Sequence, residues 1–532
     1  MKRRGISRRQ FAACSAAVTA LALPASRPRA QASGGTLVIG HVSLRHLNPA
    51  IQSGNATGVP AMQIFAGLVQ LDDKFQPQPY LAKSWEASED KLSYTFRLVE
   101  GATFHDGKPI TSEDVAFSLA TVKQNHPFGG PMFAPVDRVE TPDPGTVVVK
   151  LGHPHPALLI AMSPLLLPIL PKHVFGDGPI QTHPANLAPV GSGPFKFVEY
   201  VPDDHVILER YQGFFRSGRP YLDRLVFKII KDPLATVLAI ERGDTQYLPF
   251  AIVRVRDIPR LKKNPRLAIT QRGYEALGAT NYLEFNHRKA PLDDARVRKA
   301  IAYAIDKKFI VDSLLSGESV RLDGPLTHDN PFASTDITRY DLDLDKANKL
   351  LDEAGHPRQA NGMRFPLTLE WIPDANINSQ GPVAQYLKPQ LRKIGIDIEL
   401  RPAPDFPTWA KRVSNWEHDL TMSGVWNYPD PVIGVHRLYL CSNQKKGVIY
   451  SNTEGYCNEH ADQILNAAAV EPDLAKRKVL YAEFQKIVTD ELPVAWTNEE
   501  PLYTIYDAKL EGIPQSVWGA LAPFDEMRWA KA

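Results

Sequence analysis

The chain has 532 residues, which is too long for one small hydrophobic core and predicts two or three domains. Hydrophobic residues make up 43% and charged residues 23%, a composition typical of an ordinary soluble globular protein. The net charge of +2 includes seven basic residues before residue 33, so the rest of the chain has 54 basic and 59 acidic residues, which argues against nucleic acid as a partner.

An export signal is predicted at residues 1–32. A basic stretch comes first, an apolar segment at 11–23 follows, and small residues then mark a cleavage point before Ser33. The apolar segment is too short to span a bilayer comfortably. Residues 7–11, SRRQF, resemble a twin-arginine export signal, and a general secretory leader with additional arginines is the alternative. We therefore expect a periplasmic protein.

Strand-like and helix-like segments alternate along the rest of the chain. Short β-branched or aromatic runs predict strands at 94–100, 146–151 and 225–230. A helix is predicted to begin at Thr111, because Asp114 three residues later completes a capping box. Apolar periodicity predicts further helices at 292–310, 344–357 and 475–488, and a helix, turn and strand at 383–400. This interleaving favours α/β or mixed α/β domains.

A membrane span is not predicted after the leader. The most apolar candidate, residues 156–171, contains Pro164 and Pro168 and is predicted to form a buried strand and loop. We therefore expect no stable membrane insertion.

The cysteines predict one disulfide. Cys14 lies in the predicted leader, which leaves Cys441 and Cys457, sixteen residues apart. In an exported protein an even pair is more often a disulfide than two free thiols. A bridge between these two residues would close a short loop near the C-terminal end of the chain.

Sequence signatures of common enzymes and metal sites are absent. The sequence contains no G-x-S-x-G elbow, H-E-x-x-H pair, phosphate-binding loop or dinucleotide fingerprint. His153 and His155 alternate with prolines, so they share no helical face, and no carboxylate or cysteine accompanies them. We expect exposed loop histidines there, and no metal site, cofactor or enzymatic activity.

Several stretches of the chain form a set of recognisable signatures. They are 80–119, 189–197 (PVGSGPFKF), 282–306, 354–357 (AGHP), 391–400 (LRKIGIDIEL), 428–431 (YPDP) and 450–465. Together they resemble the large periplasmic solute-binding proteins of the peptide/nickel class, the bacterial extracellular solute-binding proteins of family 5. Dipeptide- and oligopeptide-binding proteins belong to this family. The resemblance extends from about residue 36 to the C-terminus.

The resemblance implies a two-lobed α/β fold, that of a type II periplasmic binding protein of the large cluster C, with an extra domain inserted in lobe one. The lobes, joined by hinge strands, would close over a ligand. The expected divisions are a signal peptide at 1–32, lobe one at 33–75, 190–278 and 497–532, the inserted domain at 76–189, and lobe two at 279–496.

The resemblance also implies a role in transport. The protein is expected to be a monomer that delivers a peptide or peptide-like solute to an inner-membrane ABC permease and its ATPase. One alternative is the same carrier role for an oligosaccharide, an opine or a sugar derivative. Others are a carrier of nickel or of a metal complex, and an exported hydrolase, for which the sequence shows neither a ligand cluster nor a nucleophile with its base.

Residues 423–431, SGVWNYPDP, are where the resemblance predicts ligand binding. In peptide-binding members, an aspartate just before the aromatic-Pro-acidic-Pro segment pairs with the peptide's α-amino group, and upstream backbone groups pair with the ligand as a strand would. Carried over, the backbone contacts fall on Ser423, Gly424 and Val425, and the aspartate position is Asn427. Asparagine has a donor and an acceptor but no charge, which disfavours a free α-amine and suits a neutral polar group.

Further candidates for the cleft are one acidic residue and several aromatic residues. Asp430 could replace the missing charge, although an acidic residue between prolines more often caps a helix or holds a loop. Trp371, Trp426 and Tyr428 are expected as aromatic walls, which bind peptide side chains, sugar faces and cations alike. Trp409 is expected in the core.

Overall fold

The computed structural model describes residues 34–251, 253–373 and 380–531, so the predicted leader lies outside the described residues. The strands are β1 (Thr36–His41), β2 (Val69–Leu71), β3 (Pro77–Pro79), β4 (Ala82–Ala87), β5 (Ser93–Leu98), β6 (Val136–Asp143), β7 (Thr146–Leu151), β8 (Phe195–Val201), β9 (His205–Arg210), β10 (Arg224–Ile229), β11 (Tyr247–Leu248), β12 (Leu267–Thr270), β13 (Ala279–Phe285), β14 (Phe365–Trp371), β15 (Ile396–Leu400), β16 (Leu420–Trp426), β17 (Val494–Glu499), β18 (Thr504–Asp507), β19 (Leu510–Glu511) and β20 (Arg528–Trp529).

The helices alternate with these strands along the chain. They are α1 (Asn55–Ile64), α2 (Ser112–Asn125), α3 (Gly129–Phe133), α4 (Leu158–Ala161), α5 (Lys172–Phe175), α6 (Pro233–Arg242), α7 (Ile258–Leu261), α8 (Ala295–Tyr303), α9 (Lys307–Phe309), α10 (Leu344–Glu353), α11 (Gln380–Arg392), α12 (Phe406–Ser414), α13 (Pro431–Gly434), α14 (His436–Tyr439), α15 (Glu459–Val470) and α16 (Leu474–Glu491). Within the described ranges, no helix is long and apolar enough to cross a bilayer.

Three larger sheets organise the molecule. A seven-stranded sheet has the order β12-β18-β11-β1-β10-β9-β8, and a five-stranded sheet has the order β15-β14-β16-β13-β17. A four-stranded antiparallel sheet, β4-β5-β7-β6, comes from the chain between the first two strands of the seven-stranded sheet. The seven-stranded sheet contains both β1 and β18, so the chain leaves this part of the molecule and returns to it.

Two large hydrophobic cores, accompanied by two smaller clusters, divide the described chain into two lobes. The first core surrounds the seven-stranded and four-stranded sheets and includes Phe96 and Phe227. The second core surrounds the five-stranded sheet and includes Leu283 and Trp496. The main chain passes from the first core to the second between Leu277 in the one and β13 in the other, and it returns after β17. The protein is therefore a two-lobed α/β molecule.

Most predicted elements are present with small shifts of their ends. The strands predicted from β-branched runs correspond to β5, β7 and β10, and the helix–turn–strand corresponds to α11 and β15. The capping box of α2 is formed, because the Thr111 amide donates to the Asp114 carboxylate at 2.9 Å. The disulfide between Cys441 and Cys457 is confirmed.

Three predictions differ from the structure. The single helix expected at 292–310 is divided into α8 and α9, because Asp294 and Asp306 each accept a hydrogen bond from a backbone amide and cap a new start. Residues 156–171 are buried as expected but form α4 and a loop instead of a strand, since their prolines lack the amide that a ladder requires. His155, expected to be exposed, is buried and makes a 2.8 Å hydrogen bond with the Met132 carbonyl.

Candidate functional site

A cavity of about 340 Å³ lies between the two lobes. Lobe one contributes the loop before α1, the start of α1 and the residue before α3, while lobe two contributes the adjoining ends of β13 and β16. The residues that line it are Ser53, Gly54, Asn55, Phe128, Ala279, Thr280, Asn281, Ile372, Phe406, Gly424, Val425, Trp426, Tyr428, Arg437, Tyr450 and Glu500. Residues from distant parts of the sequence therefore meet at one site where the lobes face each other.

Within the described part of the chain, the end of β16 presents an unpaired backbone edge to this cavity. Among the described residues, the ladder between β14 and β16 ends at the pair Trp371 and Met422. On the other side, the Asn427 amide donates to the Gly278 carbonyl at 3.3 Å, which fixes which residues of β16 face β13. Because alternate residues of a strand direct their amide and carbonyl groups to opposite sides, those of Gly424 face the side that β14 has left.

Gly424 adjoins a polar cluster formed by side chains of three other elements. A Cβ atom at this position would lie 2.7 Å from Asn281 Oδ1 and 2.9 Å from Gln380 Nε2, so only glycine fits without a shift. The Gln380 amide donates to Asn281 Oδ1 at 3.1 Å, and the Asn281 amide donates to the carboxylate of Glu500. The cluster therefore holds a carboxylate in the wall of the cavity, at the point where the chain leaves lobe two.

Aromatic side chains from both lobes form another wall. Trp426 is half-buried and stacks on Phe250 with ring centroids 5.9 Å apart and an interplanar angle of 27°. Phe128 meets Tyr428 edge to face at 5.1 Å. Tyr428 has a φ of 57° and packs in the first core, as do Val432 and Ile433 a few residues later. Such surfaces bind planar groups, apolar side chains and cations.

Arg437, on α14, supplies a cation to the same cavity. Its guanidinium donates to the carbonyl oxygens of Trp426 at 3.1 Å, Gly434 at 3.1 Å and Tyr450 at 2.8 Å. The guanidinium carbon lies 4.6 Å from the centre of the Phe128 ring. Burial lowers the pKa of Arg437 from its ordinary value, since desolvation disfavours the charged form.

Four of the eight predicted ligand residues line the cavity: Gly424, Val425, Trp426 and Tyr428. Ser423 is buried in the ladder opposite Tyr282. Trp371 is half-buried at the end of β14, and its neighbour Ile372 is the residue that reaches the cavity. Trp409 is fully buried, and its indole donates to Thr421 Oγ1 at 2.9 Å, so its predicted place in the core is confirmed.

Asn427 lies beside the cavity with its side chain against another loop. Its amide donates to the Pro325 carbonyl at 2.5 Å, and the residue is only 2% exposed. Its Oδ1 atom has no hydrogen-bond partner among the described residues. The structure therefore does not bring this side chain together with the cavity residues.

Asp430 is an internal ion-pair partner and a helix cap. Its carboxylate receives two hydrogen bonds of 2.8 Å from the Arg477 guanidinium and one of 3.0 Å from the Val432 amide at the start of α13. Burial alone would raise the pKa of Asp430, but the charge and hydrogen bonds of Arg477 outweigh burial, so the pKa is lowered. This carboxylate is already used within lobe two.

The residues that sequence reasoning missed are Arg437, Glu500, Asn281, Phe128 and the segment 53–55. Arg437 lies seven positions after Asp430, but no motif distinguishes it from the other arginines of the chain. Glu500 follows β17, and Phe128 lies in the region assigned to an inserted domain, so both are far in sequence from the residues they approach. Among the described residues, no group of three or more His, Cys, Asp or Glu is placed to hold a metal ion.

The chain is similar to known transport proteins over most of its length. The profile of bacterial extracellular solute-binding proteins, family 5 Middle, matches residues 76–446. A Brucella ovis protein assigned as an ABC transporter peptide-binding protein is 31% identical, with 94% of each chain covered. Heme-binding protein A of Haemophilus influenzae is 28% identical and covers 88% of this chain and 87% of its own. The crystal structure of NikZ from Campylobacter jejuni with Ni(L-His) superposes with a TM-score of 0.80 at 25% identity, covering 92% of this chain and 97% of that one.

Proposed function

We infer the function from the premise that this chain belongs to the bacterial extracellular solute-binding proteins of family 5. Proteins of this family act in transport as extracellular or periplasmic binding proteins and are not enzymes. We propose that the chain captures a peptide or peptide-like solute between its lobes and delivers it to an inner-membrane ABC permease and its ATPase.

The observation that carries the proposal is the edge of β16 that, in the described ranges, has no partner strand in the wall of the cavity between the lobes. An extended peptide that adds to a strand edge gains main-chain hydrogen bonds whatever its side chains are, which suits a carrier of varied peptides. Gly424 is the position where a ligand backbone would approach, because its own amide and carbonyl face the cavity side. We propose direct ligand contact for Gly424, Val425, Trp426 and Tyr428, and supporting roles for Ser423, Asn427, Asp430 and Trp371.

A second candidate is the same carrier role for a solute that is not a peptide. The observation that favours it is that Asn427, at the position of the amine-binding aspartate of peptide-binding members, has no charge and lies against Pro325, so this position supplies no carboxylate for a peptide amine. The similar proteins are named for an assigned peptide-binding function, for haem and for a nickel–histidine complex, so the fold accommodates chemically different ligands. Opines and oligosaccharides therefore remain in the set of solutes to be tested.

The proposed mechanism is closure of two lobes over the solute. We propose the division given by the sequence, with lobe one at 33–75, 190–278 and 497–532, an inserted domain at 76–189 and lobe two at 279–496. A solute that contacts both lobes favours the closed state in proportion to those additional contacts. We further propose that the mature protein is a monomer and that residues 1–32 direct it through the twin-arginine route.

A thermal-shift screen of the purified mature protein tests the proposal. The panel contains short peptides, opines, oligosaccharides and nickel, and a ligand present at 100 times its Kd should stabilise the protein by about 2.7 kcal/mol. Stabilisation by sugars or opines and by no peptide would reject the peptide assignment in favour of the second candidate. Mass spectrometry of whatever co-purifies identifies the natural solute, and a peptidase assay and equilibrium dialysis with nickel separate carrier from hydrolase and metal carrier.

A further inference from the structure

Arg437 is a cation in the cleft, and its hydrogen-bond partners in the described ranges are all neutral. Three of its N–H groups donate to backbone carbonyls, those of Trp426, Gly434 and Tyr450. A guanidinium has five N–H donors, so two have no hydrogen-bond partner in the part of the chain that the structure describes. Among the described residues, Arg437 forms no ion pair with a carboxylate, and the ionisable groups that act on its pKa are tyrosines.

The surroundings of Arg437 make an unpaired charge there unfavourable. The Phe128 ring lies on one side of the guanidinium at 4.6 Å, and the ring of Tyr450 lies at 5.9 Å. These rings remove water from the cation and replace it with weaker cation–π contacts. A partly buried charge is stabilised best by a counter-charge with direct hydrogen bonds, and the neutral carbonyls provide only part of this.

Other buried arginines in the chain show what is distinctive about Arg437. Arg477 and Arg364 each donate to a protein carboxylate, that of Asp430 and Asp352 respectively. Arg298 also donates only to backbone carbonyls, but it is 5% exposed and lies away from the cavity, with acidic residues acting on its pKa. Arg437 thus combines a neutral set of partners with a position in the cavity wall.

We propose that Arg437 is the receptor for an anionic group of the ligand, a carboxylate or a phosphate. The two free N–H donors of the guanidinium would bind two oxygens of such a group, which is the strongest hydrogen-bonding arrangement that arginine makes. The anion would lie beside Phe128 and Tyr450, so residues of both lobes would enclose it. This inference rests on the proposed carrier function. It adds that the solute carries a negative charge where it contacts Arg437.

Matched ligands and matched variants test the charge directly. The probes are tri-alanine and its C-terminal amide, together with acetate and inorganic phosphate, each compared with chloride at equal ionic strength. The wild-type protein should bind the tri-alanine acid about 100-fold more tightly than the amide, which corresponds to one charge-assisted bidentate contact. In Arg437→Gln this preference should fall to near one, and Arg437→Lys should keep a smaller part of it, because lysine is a point charge without the planar fork.

Controls make each outcome decisive. Lys446→Gln removes an exposed positive charge that is not among the cavity residues and should behave as wild type. Acetate and phosphate should raise the Tm of the wild type and not that of Arg437→Gln, and the larger of the two shifts identifies the anion. The proposal is overturned if Arg437→Gln keeps the preference for acid over amide, or if no anionic probe distinguishes it from wild type.

The same measurements separate this inference from the carrier function. If peptide acids and amides bind the wild type equally, the anion receptor is rejected while the peptide carrier stands. If acetate or phosphate binds through Arg437 and no peptide binds, the anion receptor stands and the peptide assignment is rejected. Since Arg437→Lys keeps the positive charge, it supplies the comparison should Arg437→Gln fold poorly.

Discussion

Two arginines at the segment 423–437 differ in their hydrogen-bond partners, since one pairs with a carboxylate and the other with neutral carbonyls. The comparison separates the scaffold from the binding surface. Arg477 is 3% exposed and donates twice to the carboxylate of Asp430. Arg437 is half-buried in the wall of the cavity and donates to backbone carbonyls. The acidic residue of this segment is therefore neutralised inside lobe two, while the basic residue keeps its charge for a ligand. The segment has a structural face and a binding face.

The largest expected effect is on the structural face. Changing Asp430 to Asn leaves the buried Arg477 without its counter-charge, which costs about 3–5 kcal/mol of stability. Urea unfolding of the variant and the wild type measures this difference. Arg437→Gln should lose much less stability, because no carboxylate is left unpaired, and equal losses in the two variants would contradict the division into two faces.

The pH dependence of that loss supplies a control. The folded-state pKa of Asp430 is lower than its ordinary value of 3.8, so the pair's contribution is fully present above that value and is lost as pH falls through the folded-state pKa. The stability difference between wild type and Asp430→Asn should thus be constant near neutral pH and shrink in acid. A difference that persisted unchanged below the folded-state pKa would mean that the charge is not the cause.

The second largest effect is expected on removal of the disulfide, which should change both stability and ligand affinity. The bridge closes a loop of sixteen residues, and on loop-entropy grounds its removal should cost about 3 kcal/mol. Tyr450 lies in this loop, and its carbonyl accepts a hydrogen bond from Arg437, so ligand affinity should also fall. Unfolding and ligand titration of a Cys441→Ser, Cys457→Ser double variant measure both. Two reactive thiols in the unfolded, unreduced wild type would refute the bridge itself.

The third prediction decides to which face Asn427 belongs. In Asn427→Asp, a carboxylate oxygen replaces the amide that donates to Pro325, which should cost about 1–3 kcal/mol because two acceptors then face each other in a buried site. The preference between amine-bearing and N-acetylated ligands should stay unchanged. A variant that retains full stability and gains affinity for free amines would place Asn427 on the binding face.

The smallest expected effect concerns a carboxylate in the cavity wall. Glu500 lines the cavity and accepts a hydrogen bond from Asn281, so it offers a negative charge to an amine of the ligand. Glu500→Gln should weaken binding of an amine-bearing ligand relative to its N-acetylated form by about 10-fold, the scale of one charge-assisted hydrogen bond. Isothermal titration with the two ligands measures the ratio of their dissociation constants. Asn427→Asp is the matched comparison, because its ratio should equal that of the wild type.

Much of the fold followed from local patterns in the sequence. The capping box at Thr111 and Asp114 formed as predicted because a cap depends on residues three positions apart. The single helix expected at 292–310 is divided for a related reason. Its apolar period continues through Asp294 and Asp306, but each of these aspartates caps the start of a new helix. Local periodicity therefore predicted the type of these elements better than their limits.

The site followed from the sequence only where the family signature covers it. The stretch SGVWNYPDP is predicted to bind the ligand, and four of its residues, Gly424, Val425, Trp426 and Tyr428, line the cavity. The direction of individual side chains was not predictable, because Asn427 and Tyr428 are neighbours in sequence and only Tyr428 is among the lining residues.

The sequence by itself determined the α/β class, the family and the pairing of Cys441 with Cys457, because each depends on local composition or on signatures spread along the chain. The export leader at residues 1–32 stays a prediction. The tertiary structure decided which charges are free for a ligand. Asp430 and Arg437 lie seven positions apart, and nothing in the sequence shows which of the two charges is paired, but the packing of α16 places Arg477 against Asp430. No carboxylate reaches Arg437 within the described part of the chain. The sequence could not show this difference, because the pairing of a charge depends on contacts between segments that are distant in sequence.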